Sequence, residues 1–332
     1  MPLLASHQTV TPDPPVRHPG VRPPLVRPDS YYVSWTPVGG AERELTPKNP
    51  LSGIMLGAVN GHGEIVGVDM PPEEQFRVEL GGGDGAVFKG ALSPSRPVKL
   101  PVVVQGRTLD EVESNRRTLM LEFNRRRGPG VLSWQLPGGQ LRTLTCLYES
   151  GLESPIEGRT GAGRNLVSSY DLILRADDPY WYGAEREVSF RPAGESFDDP
   201  LLPGPPFTIA GPGPGGVREV MIDGEVDTSP VLVMVGPMVS ATWTHLDLDV
   251  SLSLSPNLLV GQTLVVRTGP GVDAQSRFVR EGQNVWGVVA GDFPPLRPWV
   301  LTPGPNRIET SFSGTAEGSD ASLTYRTRYL TA

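Results

Sequence analysis

Apolar residues along this chain fall mostly into short runs with a spacing near two, and glycine and proline interrupt them at short intervals. From Tyr31 to Val104 this pattern predicts strands at Tyr31–Trp35, Ile65–Met70, Phe76–Leu80 and Val98–Val104, separated by Gly-Gly, Asn-Gly and Gly-Gly-Gly turns. The Val98–Val104 run alternates only weakly, which suits a strand buried on both faces. One stretch changes period. Thr108-Leu109-Asp110-Glu111 spells a capping box, with Thr108 accepting from helix amides and Glu111 reaching back to the cap. Leu109, Val112, Leu119, Met120 and Phe123 then fall on one stripe at spacings near 3.6, with Arg116 as its polar interruption. The predicted helix covers about 108–126, placing Arg125, Arg126 and Arg127 at the negative end of its dipole. Gly128-Pro129-Gly130 stops it. Strands at Val131–Leu136, Leu141–Tyr148 and Leu166–Ala176 are expected to pack against it.

The pattern breaks after residue 190. Between Arg191 and Gly216, 13 of 26 residues are proline or glycine, which marks a domain boundary with a cut near Glu187. Beyond it, strands are predicted at Val231–Val235, Val239–His245, Leu248–Leu254, Gln262–Thr268, Arg277–Val279, Val285–Val289, Asn306–Ser313 and Ser322–Tyr329. Short strands with proline and glycine turns and no helical stripe predict a β-sandwich of jelly-roll type. At the other end, prolines at 2, 12, 14, 15, 19, 23, 24 and 28 forbid a helix and suit either an extended, polyproline-like arm or a disordered tail. Arg17, Arg22 and Arg27 could there pair with acidic groups on a neighbouring subunit. The fold class is therefore mainly β with one principal α-helix. Residues 1–30 form a proline-rich arm, 31–186 a first β domain carrying the helix, and 187–332 a β-sandwich.

Length and composition narrow this further. A chain of 332 residues is long enough for two cores. A net charge of -8 argues against a dedicated nucleic-acid binder, which needs a basic surface to neutralise phosphates. Of the 29 basic residues only three are Lys, so the positive charge sits on planar guanidinium forks suited to interfaces. One cysteine, Cys146, excludes an internal disulfide and a thiolate metal cluster, so the fold holds by packing alone. Met1–Gly20 lacks an apolar core behind a basic start, and no window approaches about 18 apolar residues. Neither a signal peptide nor a membrane span is expected, and assembly in the cytoplasm follows.

Few residues offer chemistry. His245, Asp247 and Asp249 alternate, which on one strand would put all three on the same face, the carboxyls roughly 6–7 Å apart. That row suits a divalent metal or a glycosidase pair, and equally the wet side of any half-exposed strand, the commoner case. Gly211–Gly216 (GPGPGG) lacks the Lys-Ser/Thr ending of a phosphate loop and reads as a linker, and Gly81–Gly85 reads as a hairpin turn. Of four histidines, His7, His18, His62 and His245, two lie in the arm, so no zinc site or catalytic triad assembles. Cys146 alternates with Leu144 and Tyr148, as a core residue does. No catalytic residue, cofactor or metal is assigned. Tyr180, Trp181 and Tyr182, between Pro179 and Gly183, suit a core plug or a subunit interface, or less well a sugar platform.

The order of several strings is more specific than any one of them. Ser95-Arg96-Pro97-Val98-Lys99-Leu100-Pro101-Val102, the capped helix, Leu132 to Gly139 (LSWQLPGG), Cys146 to Gly151 (CLYESG), Leu172 to Ala176 and Asp178 to Gly183 (DPYWYG) together resemble the ring-forming domain of siphophage distal tail proteins. Leu301 to Ile308 (LTPGPNRI) likewise resembles a turn of their C-terminal sandwich, and the likeness runs from about Tyr31 to the end. The long proline arm is a departure from that pattern.

That resemblance implies a hexameric ring built by the first domain, joining the tail tube protein to the baseplate hub or a tail-associated protein. It implies a lumen for DNA and the tape measure protein, a galectin-like second domain projecting outward, and residence in the virion tail tip. Arg125, Arg126 and Arg127 would give such a ring its register by facing acidic residues across a subunit boundary. Two other classes stand beside this reading: a carbohydrate- or receptor-binding tail module, and a wall-degrading glycosidase using Asp247 or Asp249.

Overall fold

The computed structural model describes residues 31–46, 53–57, 64–79, 85–153, 166–190, 216–269, 277–285 and 299–332. The proline arm, the Gly/Pro stretch with its glycine-rich loop, the Gly81–Gly85 turn but for Gly85, and most of the strand expected at Val285–Val289 lie outside them. Every strand pair is antiparallel, and the chain is mainly β with a single α-helix among the described residues.

The first half runs β1 (Tyr32–Thr36), β2 (Arg43–Glu44), β3 (Gly53–Leu56), β4 (Glu74–Glu79), β5 (Ala86–Leu92), β6 (Arg96–Gln105), α1 (Leu109–Glu122), β7 (Gly130–Gln135), β8 (Leu141–Ser150), β9 (Val167–Ala176) and β10 (Trp181–Ser189). β8 pairs with β7 through Leu141–Cys146 and with β9 through Leu147–Ser150, so one strand serves two sheets. One is β2-β1-β7-β8, the other β3-β6-β9-β8. Between them lies a core of Val33, Trp35, Val98, Leu100, Leu132, Leu144, Tyr170, Leu172 and Trp181. β6 is buried from Leu100 to Val104 on both faces, as its continuous apolar run requires: Leu119 and Phe123 at the end of α1 join Leu100, Val102 and Val104 in that core, and Gly57 approaches Pro101 and Val103 on the other face.

α1 begins where the capping box places it. Thr108 Oγ1 accepts from the Glu111 amide at 3.2 Å, and Glu111 accepts from the amide of Arg107, one residue ahead of the cap. The buried stripe is Val112, Arg116 and Leu119, continued by Phe123, whereas Leu109 and Met120 face solvent. Arg116 therefore belongs to the buried face, its Nε donating to the Tyr170 hydroxyl at 2.8 Å and its stem packing with its neighbours. Of the expected strand Ile65–Met70, only a bridge between Val66 and Lys99 forms.

The second half contains β11 (Val217–Ile222), β12 (Val231–Val235), β13 (Ser240–His245), β14 (Val250–Leu254), β15 (Thr263–Arg267), β16 (Phe278–Arg280), β17 (Gln283–Asn284), β18 (Gly304–Ser313) and β19 (Asp320–Tyr329). The sheet β11-β18-β13-β14 and the strands β16-β15-β12-β19 enclose a second core that includes Leu232, Met234, Trp243, Leu252, Val266, Trp299, Ile308 and Leu323. This is a two-layer sandwich whose strands alternate buried and exposed, as in β18 and β14.

The two cores share one ladder. β10 lies along β19 from Trp181 opposite Tyr329 to Ser189 opposite Ser322, and Glu187 falls inside it, opposite Thr324. Trp181 and Tyr329 belong to the first core, while Leu323, Tyr325 and the partly buried Val188 belong to the second. The last residues return to the first half: Ala332 donates its amide to Val68 O at 2.8 Å, and the Arg96 guanidinium donates to Leu330 O at 2.7 Å.

Candidate functional site

Arg125, Arg126 and Arg127 do not end the helix. α1 closes at Glu122: Phe123, still bonded to Leu119 O, stacks on Trp35 at 4.6 Å between ring centres, and Asn124 then takes an extended backbone that breaks the helix. Its side chain accepts from the Arg126 amide at 3.0 Å and caps a separate 3-10 turn over Arg125–Arg127, which Gly128 ends at φ +97°. The three guanidiniums thus lie beyond the α1 dipole. Arg125 is committed within the chain, donating to Glu149 O at 2.6 Å and lying 5.4 Å from the Tyr148 ring centre. Arg126 and Arg127 are exposed, with no side-chain partner among the described residues.

Beside this turn opens a groove of about 340 Å³, lined by Met120, Phe123, Asn124, Arg125, Tyr148, Leu152 and Glu153. Its floor is apolar and its rim carries both charges. The Tyr148 hydroxyl donates to Glu153 at 2.7 Å and accepts from the Leu152 amide. Desolvation and that carboxylate hold the phenol above its ordinary range, while the same hydrogen bond lowers Glu153.

The aromatic cluster has split roles. Trp181 is fully buried, donating Nε1–H to Val68 O at 3.1 Å and meeting Trp134 edge-on, so it is a core residue with no surface to offer a partner. Tyr180 and Tyr182 are half-buried and face β19. Arg328 lies 4.2 Å from the Tyr180 ring centre and 3.1 Å from Asp178 Oδ1, and Asp178 also accepts from the Tyr182 hydroxyl at 2.5 Å. Burial first, then this bond, raises the Tyr182 phenol well above its usual range. Arg326 sits over Tyr182 and donates to Thr143. Gly183 is required here, since a Cβ would come within 2.5 Å of Thr327 Oγ1 and 3.2 Å of the Tyr329 ring. Sequence reasoning missed Arg326 and Arg328. The available signal was the run Tyr325-Arg326-Thr327-Arg328-Tyr329, which puts both arginines on one face of a strand.

Arg96 is the other unanticipated residue. It is wholly buried and donates only to carbonyls, Leu330 O and more distantly Gly67 O, and burial lowers its guanidinium from 12.5 to about 10. Arg142 acts alongside it, donating to Thr331 O at 2.8 Å while stacking on Tyr329.

The row expected of His245, Asp247 and Asp249 does not form. β13 ends at His245, and residues 246–249 make a turn in which Asp249 takes φ +53°. His245 points inward, wholly buried, with Nε2 2.9 Å from Asn306 Oδ1 and Nδ1 accepting from the Leu248 amide. Asp247 points outward and is held by Arg307, through its amide at 2.7 Å and its guanidinium at 2.8 Å, which together keep the carboxyl below its usual range. The alternation that suggested a shared face is interrupted by the turn. Cys146 is buried, and desolvation pushes its thiol up to about 12, which suits packing and not nucleophilic attack. Among the described residues, no three His, Cys, Asp or Glu side chains gather as metal ligands, and no helix is long and apolar enough to cross a membrane.

Neither a protein-family model nor a curated protein sequence matches the chain. Solved structures do. The Dit protein (gp 19.1) of phage SPP1, described as a paradigm of the hub adsorption apparatus of phages infecting Gram-positive hosts, superposes with a TM-score of 0.58 at 16% identity, covering 89% of this chain and 98% of that one. A chain of the phage P2 baseplate in its activated conformation with Ca gives 0.48 at 11% identity, with the same coverage. At such low identity the common ground is architecture. Over 89% of its length, the chain shares the overall fold of SPP1 Dit.

Proposed function

We propose that this chain is a structural component of a phage tail tip, a distal tail protein. In this reading the first core closes a ring of six copies between the tail tube protein and the baseplate hub or a tail-associated protein. DNA and the tape measure protein pass through the lumen, and no covalent chemistry takes place. The observation that carries the reading is the likeness to SPP1 Dit over nearly the full length of both chains, reached at 16% identity. Local chemistry supports it. Cys146 and His245 are sealed in cores and Asp247 is spent on Arg307, whereas Arg126 and Arg127 project free guanidinium forks from a rigid turn. The rival sugar-binding module finds less support, because every described aromatic ring of the second core, from Phe190 to Tyr325, is turned inward.

Gold-labelled antibody against the protein, applied to whole virions, tests the assignment: label is expected at the distal end of the tail. Label confined to the head, or absent from particles, overturns it. Within the ring, Arg126→Ala/Arg127→Ala is expected to give a folded protein that elutes as a monomer, and unchanged rings would remove these two side chains from the interface.

A further inference from the structure

The two most exposed large apolar side chains among the described residues are neighbours, Leu259 at 69% and Val260 at 80%. They sit on the turn between β14 and β15, and that turn is held fast. The Leu259 amide donates to Gln262 Oε1 at 3.1 Å, the Gln262 amide donates back to Leu259 O, and backbone bonds tie Gly236 to both Gly261 and Gln262. A rigid apolar knob of this kind enters a contact at little cost in ordering. Its surroundings are acidic. The connections at this end of the sandwich, 236–240, 255–263, 280–283 and 313–320, carry Glu281, Glu317 and Asp320 against the single cation Arg280. Glu281 accepts from the Thr263 amide, Asp320 stands opposite Val235, and Ser319 ties the turn that carries Glu317 to Pro237 O.

The groove at the end of α1 has the opposite shape and the opposite sign. It is concave, with an apolar floor of Met120, Phe123 and Leu152, and its volume of about 340 Å³ is large enough to enclose the knob's two side chains. Arg125, Arg126 and Arg127 border it against Glu153, while the nearby Glu122 and Glu149 are already paired with Arg43 and Arg175. Three acids and one base on the knob therefore match three bases and one acid at the groove. Leu259 and Val260 are too exposed to be seated in the groove of their own copy. Each copy thus holds both halves of a head-to-tail contact, the type of interface from which closed rings are made.

We infer that the Leu259-Val260 knob of one copy seats in the α1 groove of a second copy, with Arg126 and Arg127 meeting Glu317 and Asp320. The inference rests on the ring reading and names its contact. Because Cys146 is buried, introduced thiols can be cross-linked selectively. Full-length Val260→Cys and Met120→Cys chains, co-expressed and treated with a short bis-maleimide, are expected to give covalent dimers on a denaturing gel, and either variant alone none. Arg126→Glu/Arg127→Glu, checked for folding by circular dichroism, is expected to elute as a monomer, and adding Glu317→Arg/Asp320→Arg to the same chain is expected to restore the oligomer. Rings that form without the mixed cross-link, or a charge reversal that the second reversal does not rescue, would overturn the contact and leave the ring standing. Dimers from Val260→Cys alone would overturn it in favour of a knob-to-knob contact. A wild-type protein that never oligomerises would remove both the contact and the ring.

Discussion

Arg328 and Asp178 lie 150 residues apart in the chain and 3.1 Å apart in the fold. One sits on the last strand, the other just ahead of β10, and the pair is overlaid by Tyr180 and flanked by Tyr182. It fastens the ladder at the end where that ladder joins the first core. The rest of the ladder belongs to the second core, so the two packing units are joined by hydrogen-bonded backbone instead of a tether.

Arg328→Met tests the junction. It removes the ion pair, the ring contact and a bond to Asp227 O, while Asp178, half-exposed, can turn to water. We expect a loss of about 2 kcal/mol in urea unfolding. A loss under about 0.5 kcal/mol would show that the pair is ornamental, as many surface pairs are.

Gly183→Ala forces a methyl against Thr327 and Tyr329 within the same ladder. The cost expected of such overpacking is about 1–3 kcal/mol. Gly151→Ala is expected to be worse, because its φ of +103° and the backbone carbonyl of Asp171, which would overlap the added carbon, leave no room to adjust. Circular dichroism melts of the two variants beside the parent rank them.

Cys146 gives a pH dependence with a definite sign. Burial pushes its thiol from 9.0 to about 12, so the native state keeps a proton that the unfolded chain loses. The unfolded state then binds fewer protons, and this contribution to stability falls as pH rises between about 9 and about 12. Urea midpoints measured up to pH 11 are expected to fall more steeply for the parent than for Cys146→Ala. Parallel slopes would contradict this.

Asn306 is the hub of the second core's one buried polar cluster with an imidazole. Its Oδ1 meets His245 Nε2 at 2.9 Å and the Thr302 amide at 2.8 Å, and its Nδ2 donates to Thr302 O at 2.8 Å. Asn306→Ala strands several buried groups and is expected to cost about 3 kcal/mol by urea unfolding. Asp247→Asn, in contrast, weakens only the exposed contact with Arg307 and is expected to leave background muropeptide release unchanged. Release present in the parent and lost in this variant would revive the glycosidase reading.

What was legible in the sequence was local. The Val98–Val104 run, the Thr108 cap and the Val231–Val235 strand stand where their side chains put them, since burial on both faces, a hydroxyl cap and a β-branched run are each decided within a few residues. β10 was missed because its Glu185-Arg186-Glu187 segment is exposed and charged, and only pairing with β19, far along the chain, makes it a strand. The helix end was misplaced because Asn124 takes an extended backbone and its side chain caps a separate 3-10 turn over Arg125–Arg127, which the helical spacing of the apolar stripe does not record. At the candidate site, the arginines were visible as residues. Which of them is free was decided by Glu149, a partner from another strand.

Electron microscopy of the purified full chain tests the central claim most directly. Class averages are expected to show closed rings with a central hole and sixfold symmetry. Particles that stay solitary at high concentration, or that grow into open filaments, would contradict it.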